Sequence, residues 1–178
     1  MRRVVQSILA GGLILAALGA LAEPSEKESQ AKAEFVLGLI NDVTWPEGDK
    51  NSESVTVISV VGTSSLASYL KGAAEKLNGS SRKIEVRDAG LDADLSGSHI
   101  VFIAVTELPD LAAILKKVSG QPIFTISDNG NFAGYGVMVD FLKEGGETPS
   151  YAVNKMAVKG AGLKLSEGVI KKAKKTYG

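Results

Sequence analysis

The sequence predicts an α/β domain, a three-layer α/β/α sandwich with a mostly parallel sheet of about five to six strands. Residues 55–61 and 100–105 are β-branched or apolar at nearly every position, which is typical of strands buried on both faces. Segments with helical spacing of apolar residues alternate with the predicted strands. Parallel strands need such crossover connections, so the expected general form is flavodoxin-like or Rossmann-like.

The elements follow in order along the chain. A first helix is predicted over residues 26–44, because apolar residues recur there at helical spacing and Trp45-Pro46 then disfavours further helix. Further strands are predicted at 84–86, 123–126 and 137–141, with a sixth, antiparallel strand at 151–153. Further helices are predicted at 66–77, 109–118 and 166–176, the last with Ser166 as its N-cap.

The first 22 residues have the layout of a secretory signal. Arg2 and Arg3 are followed by an apolar run over residues 8–22, which ends in the small-x-small pattern Ala20-Leu21-Ala22. The alternative is a membrane anchor, but a span needs about 20 apolar residues and this run is shorter and contains glycines. We therefore predict cleavage after Ala22, which leaves one domain over residues 23–178 outside the cytoplasm.

Composition excludes several classes of function. The chain has no cysteine, which excludes disulfides, thiol redox sensing, thiolate metal sites and haem attachment. The predicted mature chain has 18 basic and 20 acidic residues, a balance that argues against nucleic-acid binding. We expect no cofactor.

Two loops are candidate ligand sites. Gly62, Thr63, Ser64 and Ser65 lie between a strand and a helix, where backbone N–H groups can bind a phosphate; the alternative is a turn in which Ser64 or Ser65 caps the helix. Neither phosphate-loop nor dinucleotide-binding motif is complete there.

Ser127, Asp128 and Asn129 follow the fourth predicted strand, at an edge where α/β sheets bind ligands. Their alternative role is turn formation. The spacing of a calcium loop is not met in this segment, because Asp128 is its only acidic residue.

No catalytic or metal-binding residue is predicted. His99 is the only histidine, and no motif places a nucleophile beside it, so a structural hydrogen-bonding role is favoured. Phe35, Leu39 and Trp45 form an apolar seam on the first helix, which is either core or, where exposed, a partner surface.

Four lysines crowd the last predicted helix. In one interpretation these lysines face solvent and interact favourably with the helix dipole. In the alternative they contact anionic lipid headgroups or an acidic partner. They are Lys171, Lys172, Lys174 and Lys175.

Several segments together resemble the YfiR family of periplasmic regulators. The first helix carries Lys32 and Phe35 in a K-x-x-F pattern before the Trp45-Pro46 pair, and residues 99–103 read H-I-V-F-I. The most specific block contains S-D at 127–128 and G-V-M-V-D-F at 136–141. A V-N pair at 153–154 and A-G-L-K-L-S at 161–166 complete the similarity, which covers nearly the whole predicted mature chain.

This resemblance implies a function that the residues alone do not. It implies a periplasmic α/β domain, not an enzyme, that binds and restrains an inner-membrane diguanylate cyclase and so lowers cyclic di-GMP and biofilm output. A small-ligand sensing module that acts with a sensor histidine kinase is the alternative, and a homodimer is possible. Asn131, Tyr135 and Asp140 depart from the residues common at their positions in the family.

Overall fold

Helices and strands alternate along the chain, as the sequence predicts. The computed structural model describes residues 26–46, 55–78, 83–144 and 148–178. The predicted signal sequence and residues 47–54, 79–82 and 145–147 lie outside the described residues. The helices are α1 (Glu26–Asp42), α2 (Leu66–Leu77), α3 (Leu108–Val118), α4 (Lys155–Gly160) and α5 (Glu167–Lys172), with a 3-10 helix at Phe132–Tyr135. The strands are β1 (Val43–Thr44), β2 (Val55–Gly62), β3 (Lys83–Ala89), β4 (Ile100–Ala104), β5 (Phe124–Ser127), β6 (Val139–Phe141), β7 (Tyr151–Asn154), β8 (Lys164–Leu165) and β9 (Lys175–Tyr177).

The described residues form one main sheet in the order β3-β2-β4-β5-β6-β7-β9. Strands β2 to β6 are parallel, β7 is antiparallel to β6, and β9 is parallel to β7. With β2 counted as the first strand, the first five take the 2-1-3-4-5 order of flavodoxin-like sheets. The predicted fold class is thus confirmed, with seven strands rather than five or six.

Two separate cores cover the two faces of this sheet. On one face α1 and α2 pack with Phe102, Phe124 and Phe141, and the short helices α4 and α5 join the same core. On the other face α3 and the 3-10 helix pack with residues such as Val101 and Ile103. Alternate side chains of each central strand enter opposite cores, which is why these strands are apolar at nearly every position.

The first helix ends earlier than predicted. Its last residue is Asp42, and Val43–Thr44 forms strand β1, which pairs antiparallel with Lys164–Leu165. The Ser166 backbone N–H donates to the Asp42 carbonyl at 2.8 Å, and the Ser166 hydroxyl donates to the Asp42 carboxylate at 2.7 Å. The prediction of helix to Thr44 was wrong because this pairing partner lies far along the chain.

The C-terminal part also differs from the prediction. Ser166 caps α5 as predicted, since its hydroxyl accepts from the Val169 N–H, but the helix ends at Lys172 rather than at residue 176. Lys175–Tyr177 instead pairs with β7 as an edge strand. Helix α4 was not predicted. Of the four lysines assigned to the last helix, Lys174 and Lys175 therefore lie beyond it.

Candidate functional site at the carboxyl edge of the sheet

Asp140 lies fully buried in β6, and its carboxylate organises the loop that follows β5. One carboxylate oxygen accepts from the Ser127 hydroxyl at 2.5 Å and from two backbone N–H groups at 3.2 Å. The other oxygen accepts from two more backbone N–H groups, at 2.7 and 3.4 Å. The four backbone donors belong to Asn129, Gly130, Phe132 and Ala133. Hydrogen bonds to a charged acceptor are strong, so the loop is fixed from inside the domain.

Lys32 of α1 reaches the same loop. Its Nζ lies 2.9 Å from Oδ1 of Asp128 and 2.7 Å from Oε1 of Glu28, and its side chain is only 5% exposed. The same Nζ lies 5.6 Å from the centroid of the Phe141 ring, within cation–π range. The first helix is thereby tied to the loop after β5 and to the end of β6.

Burial and the attraction between Lys32 and its carboxylate partners have opposite effects on the pKa values of Lys32 and Asp128. Burial lowers the pKa of Lys32, but hydrogen bonds and Coulombic attraction from Glu28 and Asp128 together outweigh it and raise that pKa above the ordinary 10.5. Burial raises the pKa of Asp128 above the ordinary 3.8 against the opposite effect of Lys32, and the carboxylates of Glu28 and Asp140 raise it further. The Lys32 ammonium group is thus the positive charge that the carboxylates of Glu28 and Asp128 share.

The three predicted site residues of this loop, Ser127, Asp128 and Asn129, differ in burial and in contacts. Ser127 has no exposed surface and donates its hydroxyl to Asp140, so from this position it cannot contact a ligand. Asp128 is partly buried and holds Lys32. Asn129 lies beside an open cleft, where a role in ligand binding stays a prediction. Ser127 therefore ends β5 and anchors the loop through Asp140, whereas Asp128 lies in the loop itself and pairs with Lys32.

That cleft lies beyond the carboxyl ends of β4 and β5. Its volume is about 520 Å³. Its walls include Thr106, Asn129, Asn131 and Tyr135, and the Tyr135 side chain is exposed. Amide, hydroxyl and phenol groups surround it, so it can offer hydrogen bonds and an aromatic face to a small molecule.

The other predicted ligand loop lies at the same edge, next to the end of β4. Gly62 has a φ of +99°, and a Cβ there would lie 2.6 Å from the Ala104 carbonyl oxygen, so glycine is required by the close approach of two strands. The Ser64 hydroxyl accepts from the Leu66 N–H at 3.1 Å, whereas Ser65 makes no side-chain cap. Thr63 is exposed, and its binding role remains a prediction.

His99 has a structural role in the described residues. The residue is 4% exposed, and its imidazole Nδ1 accepts from the Val57 backbone N–H at 3.1 Å. The His99 backbone N–H donates to the Val57 carbonyl. It thus links the start of β4 to β2. Within the described ranges, no group of three or more histidine, aspartate and glutamate side chains is placed to bind a metal ion.

The predicted apolar seam is only partly accessible. Leu39 is 1% exposed and belongs to the core, so it cannot form a partner surface. Phe35 is half-buried, with its ring centroid 4.6 Å from Tyr151 and 5.6 Å from Phe141. Trp45 is also half-buried, and its buried Nε1–H has no hydrogen-bond partner among the described residues. The seam available for binding is therefore reduced to Phe35 and Trp45.

Sequence reasoning did not identify the roles of Lys32 and Asp140. Each is a charged residue inside an otherwise apolar pattern: Lys32 lies among the buried residues of α1, and Asp140 lies between Val139 and Phe141. This signal could have marked them as buried charges that need partners. It could not have identified those partners, which come from other elements.

The chain forms a doubly wound α/β domain whose carboxyl-edge loop is held by buried charged residues. In the described part of the chain, no helix combines the length and apolar character needed to cross a membrane. A family model described as YfiR/HmsC-like matches residues 29–174, and the chain belongs to that family. This confirms the resemblance. Members of the family are periplasmic regulators of diguanylate cyclases rather than enzymes.

Two solved structures are similar in fold. A conserved domain protein from Vibrio cholerae O1 biovar El Tor strain N16961 superimposes with a TM-score of 0.57 at 15% identity over 83% of this chain. An ABC domain in complex with L-Trp from Streptococcus pneumonia gives 0.56 at 13% identity over 84%. The chain spans 60% of the length of each, and identities this low show a shared fold only.

Proposed function

We propose that the chain is exported, loses residues 1–22, and binds and restrains the periplasmic sensory region of an inner-membrane diguanylate cyclase. The observation that carries this proposal is the family match over residues 29–174. The exported domain would lower cyclic di-GMP and hence biofilm output.

Restraint of this kind requires unequal affinity for two states of the cyclase. A ligand shifts a conformational equilibrium only by its differential affinity, and a change from 1:99 to 99:1 needs about 5.5 kcal/mol. The half-buried Phe35 and Trp45 are candidates for part of this energy, since apolar burial contributes about 25 cal/mol per Å².

Gene deletion tests this proposal, with cyclic di-GMP as the readout. We expect the level to rise in the deletion strain and to return when the gene is restored. Complementation with Trp45→Ala is expected to return it only in part, whereas Leu91→Ala, at an exposed leucine elsewhere, should restore it fully. An unchanged level of cyclic di-GMP on deletion would refute the proposal.

The cleft of about 520 Å³ favours a second candidate function. A small molecule bound beside Asn129, Asn131 and Tyr135 would make the domain a sensing module that acts with a sensor histidine kinase. Thermal-shift measurements against nucleotides, flavins and simple anions test this. A ligand should raise the melting temperature of the protein and lose its effect in Asn129→Ala; if no compound raises it, this candidate has no support.

A homodimer is a further possibility within the same proposal. Sedimentation equilibrium of the processed protein over a range of concentrations measures this directly. A single species of monomer mass at all concentrations would exclude a homodimer as the acting form.

A further inference from the structure

Charge is distributed very unevenly along this chain. Residues 155–178 contain seven lysines and one acidic residue, Glu167, whereas residues 23–154 contain eleven basic and nineteen acidic residues. The basic segment forms α4, β8, α5 and β9, and α4 contacts both β8 and β9. All seven lysines are exposed: Lys155, Lys159, Lys164, Lys171, Lys172, Lys174 and Lys175. The C-terminal elements therefore carry an excess of positive charge on an otherwise acidic molecule, although the Lys174 ammonium lies 3.8 Å from the Glu144 carboxylate. We call the exposed surface of these elements the basic face.

An apolar groove lies within this basic face. Its volume is about 340 Å³, and its lining comes mainly from α4, β8 and α5, with one acidic residue, Glu167 of α5, among the lining residues. Lys155, Lys159 and Lys164 line its sides, while Val158 and Leu163 belong to the apolar part of its wall. Next to Lys155 on α4, the Met156 side chain is 71% exposed, although it is large and apolar. Apolar side chains surrounded by lysines are typical of surfaces that enter the headgroup region of a membrane.

We propose that this basic face, groove included, binds the surface of an anionic phospholipid bilayer. Residues 155–178 contain no arginine and no tryptophan. Protein interfaces are enriched in arginine and aromatic residues and depleted in lysine, so the composition favours lipid over a protein partner. The lysine stems cover apolar surface while their ammonium groups reach headgroup phosphates, and Met156 enters between the headgroups.

The charge distribution also fixes the orientation of the bound protein. The acidic remainder is repelled by the same headgroups that attract the lysines, so the basic face is directed toward the bilayer. This inference goes beyond the proposed restraint of a cyclase and takes from it only the export of the chain. It confines the regulator to the membrane surface where an inner-membrane partner lies, which raises their local concentration.

Vesicle co-sedimentation tests the inference. The protein would be the processed form isolated from the periplasmic fraction, because residues 8–22 would themselves bind lipid. Vesicles of equal parts phosphatidylglycerol and phosphatidylcholine are compared with phosphatidylcholine alone, and binding is expected only to the anionic vesicles. Binding should weaken steeply at high salt, because the Debye length falls from about 10 Å at 0.1 M to about 3 Å at 1 M.

Two charge-matched variants separate a specific face from net charge. The groove variant carries Lys155→Glu, Lys159→Glu and Lys164→Glu, and the control carries the same change at the exposed Lys76, Lys83 and Lys116. A lysine near an anionic surface is worth about fivefold in affinity, so the groove variant should bind at least about a hundredfold more weakly than the unmodified protein. Thermal unfolding verifies that both variants fold.

Each outcome of this comparison decides for or against the inference. Loss of binding in the groove variant with retention in the control supports it, as does weaker binding of Met156→Ser. Equal loss in both variants would mean that net charge alone acts, and it would overturn the inference. Binding to polyglutamate but not to vesicles would assign the face to an acidic protein partner and would also overturn it. Unchanged cyclic di-GMP on gene deletion would refute the cyclase proposal without affecting this result.

Discussion

Asp140 is the only charged residue in β6, and five hydrogen bonds converge on its carboxylate. Asp140→Asn keeps the shape of the side chain but turns one acceptor oxygen into an NH₂ donor that faces backbone donors. Hydrogen bonds to a charged group contribute about 1.5–3 kcal/mol, and an unsatisfied buried group costs about 1–3 kcal/mol. We therefore expect the free energy of unfolding to fall by roughly 3 kcal/mol.

Denaturant unfolding followed by circular dichroism measures this difference. The matched control is Asp92→Asn at an exposed loop position, for which we expect a change within about 0.5 kcal/mol. If the two variants unfold at the same midpoint, the carboxylate of Asp140 does not hold the loop as its contacts indicate.

The raised pKa of Lys32 predicts a pH dependence of stability. A group whose pKa is raised by folding stabilises the folded protein fully below its unfolded pKa, near 10.5, and loses this effect as pH rises through the folded value. The pKa of Tyr151 is also raised, by burial and by the charge of Asp42, and its stability effect has the same sign above pH 10.0. Both groups therefore make the protein less stable in alkali.

We expect Lys32→Met to remove part of this alkaline decline. The variant should be less stable than the unmodified protein at neutral pH, by about 2 kcal/mol, because Asp128 and Glu28 lose a partly buried partner. Its free energy of unfolding should then change less between neutral pH and pH values above 10.5. Parallel curves of stability against pH for the two proteins would show that Lys32 is not the responsible group.

The pairing of Lys32 with Asp128 illustrates what sequence cannot supply at this scale. The two residues are 96 positions apart, and only the packing of α1 beside the ends of β5 and β6 brings them together. A charge within an apolar pattern signals that a partner exists. Which of the many acidic residues it is depends on the strand order, and the pattern contains no information about that.

At the scale of elements, the junction of α1, β1 and α5 depends on Ser166. Its hydroxyl donates to the Asp42 carboxylate and accepts from the Val169 N–H, so it joins two helices. We expect Ser166→Ala to lower the free energy of unfolding by about 1 kcal/mol, the usual cost of losing an N-cap side chain.

Ser65 supplies the control for this prediction. It occupies the N-cap position of α2 but makes no side-chain cap, so Ser65→Ala should leave stability nearly unchanged. Thermal or denaturant unfolding of both variants gives the comparison. A larger loss in Ser65→Ala than in Ser166→Ala would contradict the hydrogen bonds described for these two serines.

Elements differ in how well local sequence specified them. Strands β2 and β4 and helices α2 and α3 were predicted within one or two residues, because their apolar patterns are strong and are bounded by turn residues. Strand β9 has the sequence K-T-Y, which is not typical of a strand, and it forms by pairing with the edge of β7. Strand β1 has only two residues. Such short strands depend on long-range pairing, so no local pattern indicates them.

At the scale of the whole molecule, the sequence predicted the class of fold and the family but not the strand order. Alternating strands and helices require a parallel sheet, whereas several orders satisfy the same alternation. The candidate site was predicted in part. Both loops lie at the carboxyl edge, but Gly62 permits the close approach of two strands and Ser127 donates a hydrogen bond to Asp140. The buried charges that hold this edge became visible only once distant elements were placed together.

In the proposed function, this domain restrains its partner from the periplasm by binding. The most direct measurement is cyclic di-GMP in a deletion strain complemented either with the whole gene or with a gene that lacks codons 1–22. We expect only the exported form to lower the level, although both proteins fold and accumulate. If the form without the signal sequence lowers cyclic di-GMP equally well, or if neither form changes it, restraint from the periplasm is contradicted.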